Sequence, residues 1–209
     1  MDKLFGIIRL VAAMAVVAAI VGQFAYSAGQ TAINPFNFFG YFTIQSNIIG
    51  LVAWAASARF ILAGRAQPQW AIYLRALATT VLAIVGVVYN TLLANAGLNS
   101  FNLQWYNDIL HIIIPIYAVL DWILLADRPR LPLRRLWLLL IYPIVWLAVM
   151  LVRGATDGFV PYPFLDPASG YGSVALYCVL IAVATVLVGA GVYWLGGLRT
   201  LSPRDAAQP

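Results

Sequence analysis

Charged side chains are scarce in this chain. Lys, Arg, Asp and Glu together make up 9% of the 209 residues, whereas hydrophobic residues make up 63%. A soluble domain usually carries roughly 25% charged residues, so this composition excludes a water-soluble fold. The sequence therefore predicts an integral membrane protein.

Histidine and cysteine are nearly absent, with one residue of each. The single cysteine, Cys178, excludes an intramolecular disulfide. One histidine and one distant cysteine cannot supply the ligands of the usual zinc sites, so no metal is expected. The sequence contains no P-loop, no dinucleotide-binding glycine motif and no HExxH motif, and we expect no cofactor.

Six apolar stretches are long enough to cross a bilayer, which takes about 20 mostly apolar residues. We predict an all-α fold, with a single transmembrane domain of six helices over residues 1–198 and a short polar cytoplasmic tail at 199–209. The predicted spans are Phe5–Tyr26, Phe38–Leu62, Trp70–Ala94, Tyr106–Leu125, Leu136–Val152 and Gly172–Leu195.

The basic residues are distributed unevenly between the loops. All except Arg153 fall at the N-terminus, in the second and fourth loops, in the tail, or at adjoining helix ends. By the positive-inside rule, both termini are predicted to be cytoplasmic and the first, third and fifth loops to face outward. We expect a multi-pass protein of the cell (inner) membrane and, because the basic residues form no patch, no nucleic-acid partner.

The first apolar run also resembles a secretory signal, because Lys3 and Arg9 precede its apolar core and Ala25, Tyr26 and Ser27 follow it. We favour a retained helix. The apolar segment continues on each side of Arg9, and alanines along it supply small faces for close helix packing.

Four of the predicted helices bring polar residues to one layer near the outer side of the membrane. Thr43 lies about one turn below the outer end of the second helix, and His111 lies in the first two turns of the fourth. The other residues of this layer are Tyr89, Asn90, Thr91, Asp108 and Arg153.

A carboxylate at the centre of a membrane helix costs about 2.5 to 3.5 kcal/mol, so it usually faces a polar cavity or a partner. Asp121 lies about 20 Å along the fourth helix from Asp108, at 1.5 Å per residue. It therefore belongs to the cytoplasmic side, where Arg9, Arg75 or Arg128 could pair with it.

Two sets of polar residues allow both a structural and a functional interpretation. Thr43, Ser46 and Asn47 share one helix face with Gly50, which is also typical of a small-residue packing stripe. Asp108 lies three residues before His111. Its carboxylate could fix the tautomer of the imidazole, or it could simply favour the helix start beside a histidine that bonds between helices.

The segments FFGYFTIQSN, WYNDILH and PYPFLDP together resemble the bacterial branch of the androgen-induced-gene-one family of multispan membrane proteins. Animal members hydrolyse fatty acid esters of hydroxy fatty acids with a threonine and a histidine. The family pattern W-x-N-x-x-x-H matches Trp105, Asn107 and His111, and the family's threonine falls on Thr43.

The resemblance implies that Thr43 is a nucleophile and His111 its base, acting on a lipid ester from the outer leaflet. Asp108 and Asn107 would support the histidine, while Asn47, Asn90 or Arg153 could donate hydrogen bonds to the oxyanion. Substrate contacts are expected from Ser46, Tyr89, Trp105 and Pro115. The alternative is a lipid-binding or solute-carrying protein without catalysis. In that case Asp121 would form a second polar site, on the cytoplasmic side, along a path across the membrane.

The arginine asymmetry generates a topology test. In a Cys178→Ala background, Gly64→Cys should be shielded from an impermeant thiol reagent in intact cells, whereas Ala155→Cys should react with it, because the two positions lie on opposite sides of the membrane. Labelling of Gly64→Cys from outside would contradict the predicted orientation.

Overall fold

The computed structural model describes residues 2–94, 103–125 and 127–197, and these residues fold into helices without strands. The all-α prediction is confirmed, with six helices that are long and apolar enough to cross a membrane. We number them α1 (Asp2–Gln30), α2 (Phe42–Leu62), α3 (Gln69–Val88), α4 (Gln104–Leu124), α5 (Leu138–Thr156) and α6 (Tyr171–Leu195). The polar tail predicted at 199–209 lies outside the described residues.

The second helix begins later than predicted. Residues Pro35–Phe38 form a separate helical turn with Pro35 in its first turn, where a proline's missing N–H costs nothing. The Asn34 side chain caps this turn by accepting a hydrogen bond from the Phe36 N–H at 2.9 Å. The chain then turns at Gly40 and starts α2 at Phe42, which puts Thr43 in its first turn.

Helix α3 is at the centre of the bundle and contacts α2, α4, α5 and α6. Helix α1 packs along α2, and its small and branched residues Val16 and Ala19 are fully inaccessible to solvent. Helices α5 and α6 lie at the side of this group. Few of their residues are buried and nearly half are exposed, as expected for surfaces that face lipid.

Four charged side chains meet where α1 begins and α4 ends, a region that we call the Arg9 end. Arg9 Nε lies 2.8 Å from one oxygen of Asp121, and Arg75 Nη2 lies 2.9 Å from the other. Both arginines also bind Asp127, at 2.5 and 2.9 Å. The predicted pairing of Asp121 is thus confirmed for Arg9 and Arg75.

Arg128 takes a different position in the same region. Its guanidinium lies 3.9 Å from the centre of the Trp122 ring and donates to the backbone carbonyls of Trp122 and Leu125. Burial alone would raise the pKa of Asp127, but the charges and hydrogen bonds of Arg75 and Arg9 outweigh it and hold that pKa below its ordinary value. Asp127 therefore stays ionised and keeps the cluster paired.

Removing one arginine from this cluster should destabilise the protein. Arg9→Met leaves buried carboxylate charge undercompensated, which costs about 3 to 5 kcal/mol in comparable pairs. Thermal unfolding in detergent should show a clear decrease in Tm. Arg59→Met is the matched control, because Arg59 lies at the same end but is exposed. Equal Tm values for the two variants would contradict the importance of the cluster.

Candidate active site

Two π-helical turns face each other at the end of the bundle opposite the Arg9 end, which we call the Thr43 end. One, Tyr89–Leu93, continues α3, and the other, Ile109–Ile113, lies inside α4. Pro115 explains the second, because a proline ring clashes with the carbonyl four residues earlier and cannot donate to it. Such turns often occur at functional sites.

Pro115 also brings α3 and α4 together. A Cβ added at Gly86 would lie 3.0 Å from the Pro115 side chain, so only glycine allows this approach without a shift. Just above that contact, the rings of Tyr89 and His111 stack with their centres 4.0 Å apart. Pro115, for which a substrate contact was predicted, lines neither of the two cavities described below and packs against Gly86.

A polar cavity of about 350 Å³ lies at the Thr43 end. Thr43 of α2 and His111 of α4 both line it, so the structure brings together the two residues on which the catalytic hypothesis depends. Its other walls come from α1, the α1–α2 connection, α3 and the α5–α6 loop. The polar residues among them are Gln23, Ser27, Thr31, Asn34, Asn37, Tyr41, Tyr89, Asn107 and Tyr162.

The ring of His111 is oriented by the backbone of its own helix. Nδ1 lies 3.1 Å from the carbonyl oxygen of Asn107. A carbonyl can only accept a hydrogen bond, so this contact requires the proton on Nδ1 and leaves the lone pair on Nε2. The arrangement is the one that a general base needs.

Asp108 does not play the orienting role that its spacing from His111 allowed. Its carboxylate accepts a hydrogen bond from Gln104 Nε2 at 2.7 Å, one helical turn earlier. Among the hydrogen bonds of the described residues, none joins Asp108 to His111. The histidine is held instead by the Asn107 carbonyl and the Tyr89 ring.

Asn107 supports the site through its side chain as well. Its amide Nδ2 donates to the Tyr89 hydroxyl at 2.6 Å, which fixes the ring that stacks on His111. Asn107 is buried and lines the polar cavity. The supporting role predicted for Asn107 thus has a geometric basis.

Thr43 is paired with a residue that the sequence did not single out. The Thr43 N–H donates to the Tyr162 hydroxyl at 3.3 Å. Burial raises the pKa of Tyr162 to about 12, so the phenol stays protonated. The only sequence signal for Tyr162 was its place in the PYPFLDP segment, because nothing in its spacing predicts a buried loop tyrosine.

Each of the three predicted oxyanion donors makes hydrogen bonds to other protein groups in the structure. Asn47 Nδ2 donates to the carbonyls of Thr43 and Leu110, at 2.9 and 3.2 Å, which uses both amide hydrogens. The exposed Asn90 donates to the Gly86 carbonyl at 2.7 Å. Neither residue lines the polar cavity.

Arg153, the third predicted oxyanion donor, holds the α5–α6 loop in place. Its guanidinium donates to Asp157 at 2.7 Å and to the Asn37 side chain at 2.6 Å, and it lies 4.3 Å from the centre of the Phe159 ring. The hydrogen bond from Arg153 holds the pKa of Asp157 below its ordinary value. This clamp holds the loop that carries Tyr162 against the α1–α2 connection.

Of the predicted substrate contacts, Tyr89 alone reaches a cavity. Ser46 is fully buried beneath the site and lines neither cavity. Trp105 is exposed and packs on the neighbouring Tyr106 ring at 3.6 Å. The rotation of each helix thus turns these two side chains away from the cavities.

A second, apolar cavity of about 160 Å³ adjoins the first between α3, α5 and α6. The two cavities share four wall residues: Thr43, Tyr89, Leu93 and Tyr162. Thr43 therefore lies at the boundary between a polar and an apolar compartment. Within the described ranges, no group of three or more His, Cys, Asp or Glu side chains could hold a metal ion.

No family model, no curated protein and no solved structure matches this chain.

The tautomer of His111 can be measured directly, since the chain has a single histidine. In protein labelled with ¹⁵N-histidine, Nδ1 should show the shift of a protonated ring nitrogen and Nε2 that of an unprotonated one. Asp108→Asn should leave both shifts in place, because the carboxylate is bonded to Gln104. A proton on Nε2 would contradict the bond to the Asn107 carbonyl.

Proposed function

We propose that this protein is a membrane-embedded lipid ester hydrolase, with Thr43 as the nucleophile and His111 as the general base. The main support is that these two residues, from different helices, line one cavity. In addition, the contact of His111 Nδ1 with the Asn107 carbonyl leaves the Nε2 lone pair of His111 available to accept a proton. The resemblance to hydrolases of fatty acid esters of hydroxy fatty acids selects the same two residues.

The proposed reaction is acyl transfer in two steps. His111 Nε2 takes the proton of the Thr43 hydroxyl, and Oγ1 attacks the ester carbonyl carbon. The tetrahedral intermediate collapses, the bond to the alcohol oxygen breaks, and His111 returns its proton to that oxygen. Water, deprotonated by His111, then attacks the acyl-threonine and releases the acid, which restores both residues.

The oxyanion of this reaction needs a donor other than the three expected from the sequence. Tyr162 is suited to the role, because its protonated phenol accepts a hydrogen bond from the Thr43 N–H and lines the same cavity as Thr43 and His111. Removing one such donor costs about 10²- to 10³-fold in kcat in known hydrolases. Tyr162→Phe is therefore the variant that tests this assignment.

The two compartments that meet at Thr43 favour an amphipathic ester as the substrate class. An acyl chain fits the apolar cavity, while the polar cavity suits the part that carries the alcohol oxygen. With the predicted orientation, the polar cavity opens toward the outer side of the membrane, so the substrate would come from the outer leaflet of the cell membrane.

The alternative function, a carrier, rests on Asp121, which the sequence places as a second polar site within the membrane. In the fold, Asp121 is buried between Arg9 and Arg75 and lines neither cavity. The ion pairs with these two arginines account for the buried Asp121, so it no longer favours a path for a solute across the membrane. The hydrolase is therefore the better supported proposal.

Ester turnover by detergent-purified protein tests the proposed function. Thr43→Ala and His111→Gln should each lower kcat by on the order of 10³-fold or more, whereas Thr43→Ser, which keeps the hydroxyl, should retain part of the activity. Ser46→Ala is the matched control, because it removes a hydroxyl one turn deeper that lines neither cavity. Wild-type turnover by well-folded His111→Gln would refute the mechanism.

A further inference from the structure

We infer that the acyl chain of the substrate enters from the lipid through a lateral opening between α5 and α6 and occupies the apolar cavity, with its carbonyl carbon at Thr43. The identity of the substrate as an ester rests on the proposed function. The binding of a hydrocarbon chain rests on the cavity itself.

Apart from the residues shared with the polar cavity, the walls of the apolar cavity carry only three polar side chains, those of Cys178, Trp146 and Thr185, and the thiol of Cys178 is a weak donor. Most of the lining consists of aliphatic side chains from three helices, such as Ile84, Leu147 and Ile181. Thr185, deep in the cavity, donates its hydroxyl to the Ile181 carbonyl of its own helix at 2.7 Å. The Trp146 indole donates to the Gly40 carbonyl at 2.9 Å.

Such a surface favours hydrocarbon over water, because a buried water needs two or more polar partners that these walls do not present. A headgroup or a sugar would lose its hydrogen bonds there, at a cost of at least about 1 to 3 kcal/mol for each buried polar group. The chemistry of the walls therefore selects an alkyl chain.

Some residues that line the cavity are also exposed on the side of the bundle, at a level within the predicted membrane span, and we place the opening there. Its rim includes Ile144 of α5 and Val186 of α6, whose exposed fractions are 62% and 37%. Pro143 also lines it and leaves α5 without one backbone hydrogen bond at this level. A lipid chain alongside α5 and α6 thus meets the opening without crossing the headgroup layer.

The dimensions fit a chain that ends at the nucleophile. On α5 the lining runs from Leu140 to Leu147, about 10 Å at 1.5 Å per residue. The inner end reaches Thr43 and Tyr162, which also border the polar cavity. A bound ester would place its acyl chain on the lipid side of Thr43 and its alcohol part on the His111 side, so the apolar cavity sets the acyl-chain preference.

A photoreactive fatty acid with a diazirine in its chain tests the binding site without requiring turnover. With wild type and Thr43→Ala, adducts should map to cavity residues such as Ile181 and Thr185, and an excess of unlabelled fatty acid should suppress them. Adducts confined to the lipid-facing Val183 and Leu187, which lie on the same helix but outside the cavity, would overturn the inference.

Two neighbouring substitutions on α6 test the chain preference. Ala182 lines the cavity and is itself exposed, which places it at the opening. Ala182→Phe should therefore obstruct the entry of the chain and lower the ratio of long-chain to short-chain ester turnover about tenfold or more, since lost methylene contacts in a pocket have effects of that order. Val183→Phe adds a similar ring at a position that is 52% exposed and outside the cavity, and should leave the ratio unchanged. Equal ratios in both variants would overturn the assignment.

The two experiments separate this inference from the proposed function. Competable adducts in the cavity of a wild-type protein that hydrolyses no ester would refute the hydrolase and keep the chain site. Ester turnover with an unchanged ratio in Ala182→Phe, and adducts only outside the cavity, would keep the hydrolase and refute the chain site.

Discussion

The pairing of two arginines with two aspartates at the Arg9 end constrains the rest of the structure. Charges buried in an apolar bundle are tolerated only when they are paired and hydrogen-bonded. Arg9, Arg75 and Asp121 belong to three different helices, so satisfying all of them fixes the axial positions of α1, α3 and α4 relative to one another. Because α4 is continuous to His111, about 15 Å away, this cluster also determines the depth of the histidine.

At the Thr43 end, a second set of contacts positions the side chains of the candidate active site on the aligned helices. Gly86 lets Pro115 approach, the two π turns present Tyr89 and His111 to each other, and Asn107 holds both rings. The α5–α6 loop then closes the site from above. Its Tyr162 bonds Thr43, while the interactions of Arg153 with Asp157 and Asn37 keep the loop in place.

Hydropathy and helix rise predict much of this arrangement. A lipid environment requires long apolar helices, so the six spans could be read directly, and counting residues from the helix ends placed Thr43, Tyr89 and His111 at one level. Asp121 could be assigned arginine partners for the same reason. Each of these conclusions depends only on the position of a residue along its helix axis, which can be counted from the sequence.

The unpredicted features depend on rotation about the helix axes and on competition for hydrogen bonds. Asn47 and Asn90 lie at the expected level, but nearby backbone carbonyls take their amide hydrogens. Gln104 takes the Asp108 carboxylate, and Ser46 and Trp105 point away from the cavities. Tyr162 reaches Thr43 from a loop 119 residues away, a contact that helical spacing cannot specify.

The most direct measurement of the central claim, that Thr43 is a nucleophile activated by His111, is peptide mapping after reaction with a lipid-like fluorophosphonate. Wild type should carry the adduct on Thr43, and His111→Gln, shown to be folded by its Tm, should carry none, because a threonine hydroxyl is a weak nucleophile without a base. An adduct on Ser46, or equal labelling of a well-folded Thr43→Ala variant, would contradict the claim.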